Sequence, residues 1–400
     1  FAAGLMLLDG LPEEVVAVPG TSIEFTLVKV PGGTFKAGGD GEPDEGPVRE
    51  AAVRPFALGK HEVTWKEFDT FFESAEQTKV DGLTRPTKAK TFFGQVGCPE
   101  HFLESKKPLI NVRWHGAMAY CDWLSAKTGR KFRLPTEIEW EYAARAGDAG
   151  KAPSALGDQA LHKDNSKEQT HPPGTKKANA WGLHDMLGNV WEYALEPYKG
   201  DQWAPVLRGG AWNVAADGLR YSDRQVVPME WFEEDPNRPR STWWLTGNFS
   251  QGMRVAQVGD AADVKAAKDY APKVEVKVTG AEEKIVRTGT ASDFYTTVKG
   301  EVKNGGDRTI EELELVVYHL DPKGKPHLVD IQGADKPGRA TYGWGYPVLF
   351  ASIREEARKP LAPGESRAFS IDIPKTFDPP EMVDETKAGA HVGWIRFAPK

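Results

Sequence analysis

The chain has 400 residues, 40% of them hydrophobic and 27% charged, with 41 glycines and 29 prolines. This describes a globular, turn-rich protein long enough for two or three domains. A net charge of −7 argues against a nucleic-acid partner, which a basic surface would attract. No apolar run approaches the length of a membrane-spanning helix, roughly 18 residues, so the chain is not expected to cross a membrane that way.

The opening FAAGLMLL is apolar and fits either the remnant of an export signal or a first strand. Three helices follow. Thr64 to Glu67 has the spacing of a capping box ahead of Phe68, Phe71 and Phe72. Trp114 to Lys127 carries Ala117, Met118, Cys121 and Leu124 at helical spacing, with Gly129 as a stop. Thr136 and Glu139 form a second capping box, opening a helix that Gly147 ends. Residues 259–273 are polar and rich in Ala and Lys, and read as a linker or a short helix. Beyond them the pattern changes to period-2 alternation in VEVKV, FYTTVKGEVKN, LELVVYHL, AFSIDI and VGWIRFA, separated by Gly, Pro and Asp turns. The expected fold is thus a loop-rich α+β domain over 22–258, after a segment 1–21, then a linker 259–273 and an antiparallel β-sandwich over 274–400.

The motifs of the first domain come in a fixed order. FTLVKVPGGTFKAGG at 25–39 precedes FALGKHEVTWKEFDTFF at 56–72. RLPTEIEWEYAARAG at 133–147, NAWGLHDMLGNVWEY at 179–193, LRGGAWN at 207–213 and QGMRVA at 251–256 follow. In that order they resemble the formylglycine-generating enzyme family, also called sulfatase-modifying factors. The resemblance implies a compact α+β fold related to C-type lectins. It also implies two cysteines after the Arg-Gly-Gly motif that bind copper and oxidise a substrate cysteine. Those two places hold Val214 and Leu219. Valine and leucine offer no soft ligand for Cu(I) and no redox chemistry, so no copper and no formylglycine-generating activity are expected. Cys121 sits on a helical apolar stripe and reads as a core residue, and a Cys98–Cys121 disulfide is the alternative.

The family resemblance further implies a structural calcium site. Carried onto this chain, its ligands are Asp185, Gly188, Val190 and Glu192, two carboxylates and two backbone carbonyls, an oxygen set that suits calcium. The plainer reading is that Asp185 and Glu192 bond to amides in a tight loop. A second site at Asn165 and Ser166 lacks a partner segment and is not expected to be complete. Iron-dependent relatives carry a His-x3-His-x-Glu pattern, and none of the nine histidines has that spacing. His115 and His184 read as core or loop histidines. Asp217, Asp223 and Arg224, with Trp243 and Trp244 from the Trp-rich segment 229–249, are the candidate ligand pocket, since rings beside polar groups suit glycan or peptide. The plainer reading of the tryptophans is core packing.

Residues 274–400 resemble the small Ig-like β domains of bacterial envelope proteins, carried by VKGEVKNGGDRTIEELELVVYHLDPKGK and LAPGESRAFSIDIP. ATYGWGYPVLF at 340–350 reads as a contact loop or a cap on the sandwich. Together these readings predict a pseudoenzyme: a non-catalytic, periplasmic or extracellular protein that serves as a subunit of a cell-envelope complex. The alternatives are a glycan- or peptide-binding module and an enzyme of divergent, metal-dependent chemistry.

Overall fold

The computed structural model describes residues 10–39, 45, 47–73, 99–112, 114–198, 201–227, 249–288, 291–320, 322–324, 328–330, 339–341, 344–349, 360–374 and 384–398. The N-terminal unit holds β1 (Glu13–Ala17), β2 (Glu24–Val30), β3 (Gly33–Ala37), β4 (Arg49–Val53), β5 (Phe56–Gly59), α1 (Trp65–Glu73), α2 (Trp114–Thr128), β6 (Lys131–Arg133), α3 (Glu137–Arg145), α4 (Leu156–Gln159), β7 (Trp191–Tyr198), β8 (Asp201–Arg208), β9 (Arg224–Val226), β10 (Gln251–Gly252) and β11 (Ala256–Gly259). It is mixed and sheet-rich, with few helices. One antiparallel sheet has the order β1-β2-β5-β11-β6, and a second has the order β10-β7-β8-β9, with β10 parallel to β7. β3 and β4 form a separate hairpin. The sheet entered by β11, late in the chain, ties the last motif of the unit to the first.

Strand alternation sends side chains of the five-stranded sheet into two cores. Leu27, Phe132 and Val255 join the helices α1 and α2 in one. Val28, Leu58 and Ala256 join Ile138, Trp140 and Ala143 of α3 in the other. Leu27, Leu58 and Phe132 are fully buried, each contributing about 1.5–3 kcal/mol relative to exposure. Both capping boxes form. Thr64 Oγ1 and N–H donate to Glu67 Oε2, while Thr136 Oγ1 accepts from the Glu139 N–H and Glu139 Oε2 accepts from the Thr136 N–H. Such caps are worth about 1 kcal/mol each. Cys121 is buried in the first core, where burial pushes its thiol pKa well up; it is a free thiol, and Cys98 lies outside the described residues. The opening segment 1–9 lies outside them as well.

Residues 261–270 are a helix, α5 (Ala261–Tyr270), capped by Asp260. Its Ala267 and Tyr270 are buried in the core of the C-terminal unit, so the segment between the units is a docked element. That unit contains β12 (Val274–Thr288), β13 (Ala291–Asn304), β14 (Ile310–Leu320), β15 (Leu328–Asp330), β16 (Arg339–Thr341), β17 (Trp344–Leu349), β18 (Ser366–Pro374) and β19 (Asp384–Phe397). Two three-stranded antiparallel sheets, β12-β13-β18 and β17-β14-β19, feed one apolar cluster that includes Val298, Ile371, Leu315 and Ile395. The aromatic stretch at 340–350 includes β17, which pairs with β14.

The units meet across charges. Arg54 pairs with Glu311 and donates to the Phe397 carbonyl (2.7 Å). Lys131 Nζ lies 2.8 Å from Glu314, and Arg133 lies 3.3 Å from Glu312. Arg396 donates to Glu312 and to the Pro55 carbonyl.

Candidate functional site: the Arg208–Gly210 turn and the Asp185–Glu192 loop

β8 delivers Arg208 into the interior, where it is fully buried. Its Nη2 donates to Glu141 Oε2 (3.0 Å) and to the Tyr221 carbonyl (2.8 Å), and Nη1 donates to the Ser222 carbonyl (3.1 Å). The guanidinium also lies 5.4 Å from the Trp140 ring centre. Arg208 thereby pins the returning segment 221–222 to α3. The chain then turns through Gly209 and Gly210 at φ 94° and 76°, a conformation glycine adopts without penalty. A Cβ on Gly210 would overlap Leu219, and Val214 Cβ stands 3.9 Å from the same point. Val214 and Leu219 therefore adjoin one another across Gly210. Leu219 is buried and Val214 packs partly buried against both cores of the unit.

The described members of the candidate pocket, Asp217, Asp223 and Arg224, face different surroundings. Arg224 is turned inward onto Glu137, with 2% of its side chain exposed. Asp217 is exposed on a 3-10 turn, and Asp223 accepts the Arg224 N–H and lies 3.8 Å from Arg220. Burial pushes the Asp223 carboxyl up to about 6. Trp243 and Trp244 lie outside the described residues.

The second loop is bonded to the first: the Gly188 N–H donates to the Gly209 carbonyl (2.9 Å) and the Trp212 N–H to the Asn189 carbonyl (2.9 Å). Asp185, Gly188 and Asn189 all have positive φ, and a Cβ on Gly188 would overlap the Leu161 carbonyl. Asp185 is buried. Its Oδ2 accepts the Gly174 N–H (2.6 Å), and its Oδ1 is buried with no hydrogen-bond partner among the described residues. Burial pushes its carboxyl up to about 6. Glu192 is held by Arg254 (2.7 Å) and by the Trp140 indole N–H (2.8 Å). Among the described residues no three His, Cys, Asp or Glu side chains converge as a metal-binding group. Ser166 and Asn165 are engaged elsewhere: the Ser166 carbonyl faces His171 Nε2, and Asn165 Oδ1 accepts the His162 N–H. His184 Nδ1 lies 2.8 Å from the Lys176 carbonyl, and the side chain of His115 lies outside those described.

Sequence reasoning missed Glu62 and Arg254. Glu62 is buried, accepting Asn189 Nδ2 (2.6 Å) and the Val190 N–H (3.2 Å); burial, then Asp185 and Glu192, raise its pKa well above the usual carboxylate range. Arg254 is fully buried and also donates to the Gly59 and His184 carbonyls. Both fall inside motif stretches, Glu62 in FALGKHEVTWKEFDTFF and Arg254 in QGMRVA, but nothing in the letters indicates that they meet at one loop.

The fold and these two bonded turns define a loop-rich α+β scaffold organised around a buried Arg-Gly-Gly motif. Residues 16–235 match the family model described as the sulfatase-modifying factor enzyme 1-like domain, and the chain belongs to that family. It is 31% identical over 247 residues to the bovine (Bos taurus) protein named inactive C-alpha-formylglycine-generating enzyme 2, covering 50% of this chain and 80% of that one. It is 30% identical over 227 residues to the formylglycine-generating enzyme of Thermomonospora curvata, covering 44% of this chain and 72% of that one. Among solved structures, PvdO from Pseudomonas aeruginosa overlaps with a TM-score of 0.46 at 27% identity, over 58% of this chain and 94% of that one.

Proposed function

We propose that this chain is a non-catalytic member of its family, an exported protein that uses the fold as a binding scaffold in a cell-envelope assembly. The observation that carries the reading is the pair Val214 and Leu219 at the two thiol positions, packed as aliphatic side chains about Gly210. Copper(I) needs soft thiolate ligands, which neither residue supplies. Cys121 is no substitute, because its buried thiol does not ionise near neutral pH. The likeness to a relative named inactive supports the same conclusion. The C-terminal unit is read as an Ig-like sandwich that docks or extends, because two sheets enclose one core behind a charged joint. A periplasmic or extracellular location accompanies that reading.

A calcium ion is part of the proposal. The Asp185 and Glu192 carboxylates and the Gly188 and Val190 carbonyls would hold it. The unpartnered Asp185 Oδ1 supports this, as does an excess of carboxylates over the single Arg254. Glu192 would share its carboxylate between the ion and Arg254. The bound ion would neutralise charge and fix the loop; it takes no part in a reaction.

The test is incubation of the purified protein with a Cys-x-Pro-x-Arg peptide, copper and oxygen, followed by mass spectrometry. No conversion to formylglycine is expected, and conversion overturns the non-catalytic reading. The assembly reading is tested by the native mass of the chain after gentle solubilisation of its source envelope. A large complex is expected; a lone monomer refutes it.

A further inference from the structure

A cleft of about 350 Å³ opens beside α1, away from Val214 and Leu219. The sheet creates it. β1 pairs with β2 from Glu24 to Val28, whereas β5 pairs with β2 only from Leu27 onward. The Lys60 N–H donates to the Thr26 carbonyl (2.8 Å), and the chain then turns away, with the Val63 N–H bonded to the Met253 carbonyl. Alternate residues of a strand turn their backbone groups to opposite sides: the odd residues Ile23 and Lys29 bond toward β1, whereas Thr26 bonds toward Lys60. The Phe25 N–H and carbonyl therefore face β1, the Thr26 carbonyl is taken by Lys60, and Glu24 has no ladder partner toward the cleft among the described residues.

The walls are polar where this edge opens. The half-buried His61 imidazole makes no hydrogen bond among the described residues, and its ring lies 5.0 Å from that of His184. Burial holds its pKa down to about 4, so near neutral pH it offers one donor and one acceptor. Lys66 and Lys106 are exposed on the lining, with no salt bridge among the described residues. Glu67 is bonded to Thr64 and Glu62 to Asn189, which leaves Glu24 as the uncommitted carboxylate of the lining.

We propose that this cleft binds an extended peptide segment bearing a carboxylate, which pairs with the open β2 edge at Glu24 and sets its acid against Lys66 and Lys106, with His61 bonding its backbone. The volume suits roughly two or three residues, at the small end of ligand pockets. Strand addition supplies main-chain hydrogen bonds, and the flanking charges supply the choice of side chain. The inference is independent of envelope assembly and of any ion at the Asp185 loop.

The probe is a fluorescein-labelled hexapeptide of alternating valine and threonine with one central aspartate, followed by fluorescence polarisation. A lysine in place of the aspartate is expected to weaken binding roughly tenfold, as is the double variant K66E/K106E. Glu24→Gln should tighten the acidic peptide, His61→Ala should weaken both peptides, and N-methylation of the peptide backbone should weaken both by removing donors. Thermal melts of each variant matching the wild type show that folding is intact. The proposal is overturned if the acidic and basic peptides bind alike, if K66E/K106E binds unchanged, or if neither peptide binds by about 1 mM.

Discussion

Leu219 packs onto Gly210, so the second glycine after the buried Arg208 must stay free of a side chain. Gly210→Ala would add a methyl at φ 76° against a buried leucine, and a loss of roughly 1–3 kcal/mol is expected from strain and overpacking. Leu219→Ala acts in the opposite sense, emptying a site that is 1% exposed, at about 2–5 kcal/mol. Urea denaturation followed by circular dichroism measures both. A neutral L219A would show that this leucine does not fill the site.

Arg208 is the residue on which the turn hangs, and its contacts are specific to a guanidinium. Removing it leaves Glu141, itself fully buried, with one partner fewer, and Arg208→Ala is expected to cost about 3–5 kcal/mol. Arg208→Lys keeps the charge but cannot reach Glu141, Tyr221 and Ser222 together or stack on Trp140, so it should recover only part of the loss. Full recovery of the melting temperature by lysine would mean that charge alone matters.

Much of this site was legible in the letters because its determinants are local. The Thr136–Glu139 box is a spacing of three, and it forms. The Arg-Gly-Gly turn needs two glycines in sequence, and both have positive φ. What was not legible depends on distant strands. Glu62 looks like a loop acid until Asn189 and Val190 are folded over it, and the cleft exists because β5 leaves β2 at a point set by Met253. Likewise, Ala- and Lys-rich letters at 259–273 allow a linker or a helix, and burial of Tyr270 beneath the C-terminal sheets selects the helix. A cluster of polar letters at 217–224 suggested a pocket, but charge pairing turns Arg224 inward onto Glu137 while Asp217 points to solvent.

The joint between the units predicts mechanical coupling. Lys131 and Arg133 are nearly buried where they meet Glu314 and Glu312. The double variant E312K/E314K places cations opposite cations, which should open the joint without unfolding either core. Cleavage within 259–273 by a protease such as trypsin reports the open population, and an increase on the order of tenfold corresponds to about 1.4 kcal/mol of lost docking. Because the new lysines add trypsin sites, a lysine-independent protease serves as the control. Unchanged cleavage would indicate that apolar contacts of α5 hold the units together by themselves.

Calcium at the Asp185 loop, if bound, stabilises the folded state by mass action. Raising calcium from chelated to about 100 times its dissociation constant should add about 2.7 kcal/mol, seen as a rise in melting temperature. Asp185→Asn removes the charge while keeping the acceptor for the Gly174 N–H, and should abolish that rise. A calcium response that survives in D185N would move the ion elsewhere.

Asp223 gives the protein a titration of definite sign. Its carboxyl stands at about 6 in the folded state against an ordinary 3.8, raised chiefly by burial and opposed by Arg220 and Arg208. The folded state therefore holds this proton more tightly than the unfolded chain does. Its stabilising contribution is complete below pH about 3.8 and is lost as pH rises through about 6. Asp223→Asn keeps an oxygen for the Arg224 N–H and removes the proton. Measured against the wild type, D223N should gain on the order of 1–3 kcal/mol in relative stability between pH 4 and pH 7, most of it between the two pKa values. Parallel stability curves for the two proteins across that range would place the Asp223 pKa near its ordinary value. In that case the attraction of Arg220 and Arg208 would outweigh the burial of a side chain that is 18% exposed.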